Sequence, residues 1–504
     1  MKNSRQATRP PTLELPSKVA RFFLEIFKSL ERLFRRPAEK SHLIEHVIVL
    51  MLENRSFDHM LGHLPDVGGL TGDEFNLLDP SDPNSERVCV NNQAGHITRI
   101  DPSHEFLSVH EQLFGDLGIV VDPAPMNGFV KACIKQAKGD VEIGKAVMAC
   151  FNCDNLPTLR TLAQEFCLCT RWFSSIPGPT WPNRFFVHAA TSDGMVTNDA
   201  RHIYDMKTIY NSLAANGLSW NIYFGDMPHS LALERLWANP DHFRRFERFR
   251  HDVDKGELAN YTFIEPRYFD FFEWKANDQH PPHDVRFGEY LIAEIYDTLR
   301  RSKFWEKSLF IVLYDEHGGF FDQVPPPSSV TNPDGQNCAD PSFDFTRLGV
   351  RVPAVLVSPL VERGQVDSTN YEHSSIPATI KKLFDLPAYL TARDKTAHTF
   401  DKNLSRSTPR TDTPLTLPVP GEPEEIQYHR ELIRSSPIKA DVRGEVGLRE
   451  VSTEPLSEFQ ETLVELANRL DDGFQAQVLE PAQLQTEHEA AVYVQERLTR
   501  FLER

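Results

Sequence analysis

The sequence predicts an α/β protein built on a mostly parallel sheet with helices on both faces. Two observations carry this. Residues 46–52, 308–314 and 352–357 are short, nearly continuous apolar runs, and residues 156–166, 287–303 and 374–384 show helical spacing of apolar side chains. Strands covered on both faces lose the alternation of half-exposed strands and read as unbroken Val, Ile and Leu. Their alternation with amphipathic helices points to helices packed on both sides of one sheet.

The first run, His46-Val47-Ile48-Val49-Leu50-Met51-Leu52, follows the helix-breaking Pro37. The second is Ser308 through Tyr314. The third carries Pro353 near its start, where a missing backbone donor is tolerable. From about residue 406 to 425 the chain turns rich in Pro and Thr, which reads as a linker or a strap over the surface. Residues 456–470 and 484–502 then show charged helical patterns. The expected organisation is a basic arm at 1–41, a catalytic domain at 42–400, a linker at 401–425 and a mostly helical C-terminal module at 426–504.

Forty per cent apolar residues, 34 of the side chains being Phe, can fill a large core, and the formal charge of -18 argues against general nucleic-acid binding. The charge is uneven. Residues 1–40 carry ten Lys and Arg against four Glu, leaving -24 on the remainder. Within that arm Val19, Phe22, Phe23, Ile26, Phe27, Leu30, Leu33 and Phe34 fall on one helical face, with Lys18, Arg21, Lys28, Arg32, Arg35 and Arg36 on the polar side. Such a helix suits either a membrane surface, bound through residues 17–36, or packing on another protein face. The same charges interrupt any export-signal core, and no apolar stretch is long enough to span a bilayer, which fits a cytoplasmic or peripheral membrane location and leaves export by a signal-independent route open.

Seven cysteines, at positions 89, 133, 150, 153, 167, 169 and 338, cannot all pair and suggest no secreted disulfide framework. The pairs Cys150/Cys153 and Cys167/Cys169 have the spacing of a zinc site, but Cys167-Leu168-Cys169 lies in an apolar stretch, where free Cys behaves as a small hydrophobe.

Chemistry gathers where strands end, because ligands in open parallel sheets sit beyond the carboxyl ends. Glu53-Asn54 follows the first strand and Asp315-Glu316-His317-Gly318-Gly319 the second. Acidic groups brought to one sheet edge repel unless a cation sits among them, and the oxygen-only set Glu53, Asn54, Asp315 and Glu316 suits one hard divalent ion, Ca, Mg or Mn rather than Zn. In Ser174-Ser175-Ile176-Pro177-Gly178-Pro179-Thr180-Trp181-Pro182-Asn183-Arg184, a proline-stiffened loop presents one hydroxyl, Thr180, with a guanidinium four residues on that suits phosphate binding. A third constellation, Asn277-Asp278-Gln279-His280-Pro281-Pro282-His283, holds two imidazoles able to bind phosphate or move protons, and His104 is a further candidate of that kind.

These segments also carry a resemblance. Glu53-Asn54-Arg55-Ser56-Phe57-Asp58-His59, residues 173–184, 265–270 with 276–284, 315–327 and 347–359 occur in the order found in the phosphoesterase family, which includes non-specific phospholipases C and an acid phosphatase branch. The resemblance spans roughly residues 42–390. It implies an alkaline-phosphatase-like core, a metal at the positions of Glu53, Asn54, Asp315 and Glu316, a nucleophile at Thr180, and histidines at 104, 280 and 283 that bind phosphoryl oxygens and handle protons. His373, in Tyr371-Glu372-His373-Ser374-Ser375, matches a further family segment without an assigned role. One departure is Asn127 where the family usually has Asp. The implied activity is hydrolysis of a glycerophospholipid to diacylglycerol and a phosphorylated headgroup through a phosphothreonine. The alternatives are an acid phosphatase acting on soluble phosphomonoesters and, in another class, a non-catalytic membrane-binding scaffold. Oligomeric state is not read from the sequence.

Overall fold

The computed structural model describes residues 43–65, 67–98, 100–115, 118–435, 452–470 and 479–503. The basic helix expected at 17–36 lies outside them. Eight strands form the central sheet: β1 (His46–Leu52), β2 (Cys167–Cys169), β3 (Trp220–Phe224), β4 (Phe243–Arg245), β5 (Tyr261–Glu265), β6 (Ser308–Tyr314), β7 (Ala354–Val357) and β8 (Gln365–Asp367). Their order is β8-β2-β7-β6-β1-β5-β3-β4, and only β7 runs against its neighbours. The sheet is therefore mostly parallel, as the apolar runs require. Every residue of β1 and β6 is buried, which is why neither strand alternates in sequence. Residues 167–169, read as a buried apolar stretch, are an inner strand with all three side chains buried.

The helices relevant to the site are α1 (Phe57–Leu61), α2 (Phe106–Phe114), α3 (Val141–Lys145), α4 (Pro157–Glu165), α5 (Thr180–Ala189), α6 (Val285–Arg301), α7 (Ser375–Leu383), α8 (Pro423–Ile433), α9 (Glu458–Leu470) and α10 (Glu487–Leu502). None of the described helices is long and apolar enough to cross a membrane.

Residues 44–504 form one compact unit, so the boundaries drawn at 400 and 425 fall inside it. The Pro-rich segment is a strap laid on the protein. Pro414 and Pro420 carbonyls accept from the Tyr296 and Tyr290 hydroxyls of α6, and the Pro418 carbonyl accepts from Thr158 of α4. Helices α9 and α10 bury Phe459, Leu463, Val494 and Leu498 in the same apolar core as β1.

Glu289 of α6 shows how two helices are locked together. Leu156, before α4, offers no side-chain cap, and the Glu289 carboxylate accepts from the Thr158 and Leu159 N–H groups instead. Burial outweighs these hydrogen bonds and raises the carboxyl to about 7. A carboxyl whose pKa is higher in the folded state gives stability that is present below the ordinary carboxyl range and lost as pH rises through about 7. Urea unfolding of wild type and Glu289→Gln is therefore expected to show the wild type losing stability relative to the variant between about pH 5 and 8, by ~1 kcal/mol or more; a constant difference across that range would contradict the buried-acid account.

Candidate active site

Strand register creates the site. In the β1–β6 pair Leu52 stands level with Tyr314, so the next residues, Glu53 and Asp315, emerge side by side at the carboxyl edge of the sheet. Asn54 turns the chain away with φ +54 and donates its N–H to Asp315 Oδ1 at 3.1 Å. The turn after β6 approaches closely: a Cβ on Gly318 would lie 2.2 Å from the Asn54 carbonyl oxygen, so only glycine, at φ +63, fits there. Glu53, Asn54, Asp315, Glu316 and Thr180 are all fully buried.

Arg184 fills the gap between the two strand ends. Its Nε donates to Asp315 Oδ2 at 3.2 Å and its Nη2 donates to Glu53 Oε1, with Met51 and Leu52 carbonyls nearby. Burial raises both carboxyls toward their neutral forms while the guanidinium opposes that, and the carboxylates hold Arg184 charged. Two of its three nitrogens serve the carboxylates, and the third, Nη1, is buried without a hydrogen-bond partner. One guanidinium serves two buried acids.

The loop before α5 delivers Thr180 to this pair. Asn183 braces it, donating Nδ2 to the Gly178 and Pro179 carbonyls and accepting the Ile176 N–H, so the loop's shape comes from Asn183 as well as from its prolines. Thr180 is the first residue of α5, and its hydroxyl donates to Glu53 Oε2 at 3.3 Å. Hydroxyl, acceptor and helix N-terminus coincide there, and that end of a helix favours developing negative charge.

On the other side, Asn54 Nδ2 lies 3.2 Å from His104 Nε2, while His104 Nδ1 is 3.0 Å from the Pro102 carbonyl. Burial works against its charged form, but Glu316, Asp101 and Glu105 outweigh it and lift His104 to about 9. Its ring is 6.1 Å from that of His280, which is 6.3 Å from His283. His283 sits between two carboxylates, Asp278 at 2.7 Å from Nδ1 and Glu487 at 3.2 Å from Nε2, and despite burial they hold its pKa well above the usual imidazole value. His280 turns Nδ1 to the Pro281 carbonyl and leaves Nε2 3.9 Å from Asp101. A cleft of about 890 Å³, lined by Asp101, Pro281, His283, Lys275 and Glu487 among others, opens beside this loop.

All the site residues singled out from the sequence thus lie in one connected neighbourhood. Several others support them without having been given roles. His373 accepts from Trp172 Nε1 and donates from Nε2 to the Asp315 carbonyl, and burial lowers it to about 4, so a neutral imidazole of fixed tautomer braces β6. Arg55 donates to the Gln279 carbonyl and Thr98 Oγ1, tying the histidine loop to β1. Arg351 pairs with Asp58 and Asp322 below α1. Glu487 of α10 accepts from the Asp270 N–H and Gln460 as well as His283. Asp278 was visible in its motif; Glu487 lies 204 residues from His283 and had no local signal.

Buried acceptors bear on whether a cation belongs here. Asn54 Oδ1 and Glu316 Oε1 are buried with no hydrogen-bond partner, beside the carboxylate pair. Such oxygens fit a hard divalent ion. Among the described residues no cluster of three or more His, Cys, Asp or Glu side chains is already gathered as a metal cage; Arg184 stands between two of the acids, and Asn54 is the amide contributor.

A model of the phosphoesterase family matches residues 44–387. Non-specific phospholipase C3 of Arabidopsis thaliana is 40% identical over 486 residues, covering 91% of this chain and 88% of that protein. Non-specific phospholipase C6 of the same plant is 42% identical over 435 residues, covering 80% and 82%. Phospholipase C A of Mycobacterium tuberculosis (strain ATCC 25618 / H37Rv) is 25% identical over 409 residues, covering 68% and 73%. A solved structure of a protein in the alkaline phosphatase superfamily from Vibrio parahaemolyticus is 12% identical over 57% of this chain and 81% of that one, with a TM-score of 0.29, a likeness too low to bear on function.

The Glu487 contact has a direct consequence. In Glu487→Gln, selectively labelled histidine followed by NMR is expected to show the His283 pKa falling by about 1 unit, because one of its two counter-ions is gone; an unmoved His283 resonance would mean that Asp278 alone sets its charge.

Proposed function

The chain belongs to the phosphoesterase family, and we propose that it is a metal-dependent phospholipase C that cleaves glycerophospholipids through a phosphothreonine at Thr180. The observation that carries this reading is the Thr180 hydroxyl, bonded to Glu53 at the head of a helix and set against a buried acidic pair. A hydroxyl in that setting has an acceptor for its proton and a place for phosphoryl charge.

Asn54, Asp315, Glu316 and Glu53 are the residues that would hold one divalent ion, Mg, Mn or Ca. A bound ion of this kind lowers the cost of the alkoxide and neutralises phosphate oxygens. Glu53 Oε2 takes the Thr180 proton as Oγ bonds to phosphorus. The bond from phosphorus to the glycerol oxygen breaks, and His280, the loop histidine with an uncommitted Nε2, gives that oxygen a proton. His104 and His283, held positive by flanking carboxylates, bind the phosphoryl oxygens. Diacylglycerol leaves. Water then attacks phosphorus, its proton passing to His280, and Thr180 departs with the proton returned by Glu53, releasing the phosphorylated headgroup. Arg184 orients Glu53 and Asp315 throughout.

Two features support a lipid over a soluble monoester: the relatives are named as phospholipases, and the basic, Phe-rich sequence at 17–36 suits a membrane surface. Phosphatidylcholine vesicles and p-nitrophenyl phosphate assayed side by side should give hydrolysis chiefly of the lipid; turnover of the soluble ester alone would favour an acid phosphatase. Thr180→Ala should lower kcat by about 10³-fold or more, and a nearly active variant would refute the nucleophile. Chelation should abolish turnover, with Mg, Mn or Ca restoring it; full activity in EDTA after exhaustive dialysis would rule out an exchangeable metal. Vesicle binding without hydrolysis by wild type would favour the scaffold.

A further inference from the structure

Next to the cleft at the histidine loop, and sharing Ile97 with it, lies a second depression of about 430 Å³, a volume within the range of small-molecule sites. Ala94, Ile97, Ile100, Ile143, Ala146 and Ala149 contribute its apolar wall. Ile97 also lines the cleft, so a single side chain forms the ridge between the two. Several polar groups on the groove's wall are engaged, while the exposed Gln93 and Glu142 line it as well. Thr98 Oγ1 accepts from Arg55, His59 Nδ1 faces the Ala149 carbonyl, and Asp140 Oδ1 caps α3 by accepting the Glu142 and Ile143 N–H groups. Burial, reinforced by Arg55, keeps the His59 imidazole neutral. The groove thus offers an aliphatic wall with exposed polar side chains beside it.

The aliphatic surface is also displayed in an unusual way. Ile97 is 56% exposed and Ile143 40%, and Leu107, Ile119, Val120 and Val121 are exposed within the same stretch that carries His104. Apolar surface left in water beside a catalytic opening favours a ligand that covers it.

We propose that this groove receives an acyl chain of the phospholipid whose phosphate is bound in the neighbouring cleft. The inference rests on the phospholipase reading. The chemistry of the substrate supplies the connection: the glycerol unit carries its phosphate and acyl esters on neighbouring carbons, so a chain must leave the cleft within a few bonds of phosphorus. The ridge at Ile97 is where the polar cleft meets an aliphatic wall, and a chain crossing it meets Ile100, Ile143 and Ala146. The groove makes substrate choice depend on the part of the lipid that undergoes no reaction, through binding energy collected away from the phosphate.

Ile143→Asp and Ala146→Trp test this, the first making the wall charged and the second filling the space. Both positions are at least partly exposed and lie outside the catalytic groups. The full chain is assayed on monomeric dihexanoyl phosphatidylcholine and on p-nitrophenyl phosphorylcholine, which has the same headgroup and no acyl chain. Each variant is expected to lower kcat/KM for the diacyl lipid about tenfold, chiefly through KM, with the chromogenic ester unaffected. Unchanged kcat/KM for both substrates would overturn the acyl site. So would equal losses on both, since the groove would then be acting on the catalytic groups. A wild type that cleaves the chromogenic ester and no diacyl lipid would instead refute the phospholipase reading itself.

Discussion

Everything at the sheet edge depends on one buried guanidinium. Strand register forces Glu53 and Asp315 together, and without Arg184 between them two buried carboxylates would face each other in a medium that solvates neither. Breaking such an arrangement by removing one partner costs about 3–5 kcal/mol, because the remaining charges stay buried. The arrangement is also incomplete. A single positive charge against two acids, with Asn54 Oδ1 and Glu316 Oε1 unpaired nearby, keeps the region electrostatically receptive to a further cation. Stability and the proposed reactivity meet at this point: the guanidinium makes the fold tolerable, and the acids it serves are among those proposed to hold a divalent ion.

A second ion cluster fixes the platform beneath. Arg351 pairs with Asp58 and Asp322 and stacks over Phe57, with its carbon 4.1 Å from the ring centre. Burial and the neighbouring Asp322 raise Asp58 to about 7, against the pull of Arg351. The cluster joins the short helix after β1 to segments nearly three hundred residues later, so the turn carrying Asn54 is held from both chain directions. His373 does the same for Asp315 with a neutral imidazole. Rigid supports of different charge type surround the buried Thr180 hydroxyl and its Glu53 acceptor.

Much of this was legible in the sequence, for an identifiable reason. Strands β1 and β6 are buried on both sides and end in acids, and both properties are local. Thr180 and the histidine loop were legible because proline and glycine mark where a backbone is held still. Spacing along the chain shows the distance of Arg184 from Thr180 but not that register brings Glu53 and Asp315 within its reach. The C-terminal helices read as a separate module because a linear pattern of charge does not reveal that Leu463 and Val494 share a core with β1. Glu487 was invisible for the same reason, its partner being two hundred residues away.

That distance matters for how the enzyme comes into being. Synthesis proceeds from N- to C-terminus, so β1, the Thr180 loop, the histidine loop and β6 all leave the ribosome before Glu487 exists. During that interval His283 has Asp278 alone as counter-ion, and the Asp270 N–H has yet to meet the carboxylate it will bind. Glu487 is thus the last of these groups to be synthesised, and His283 has both of its carboxylates only with α10 in place.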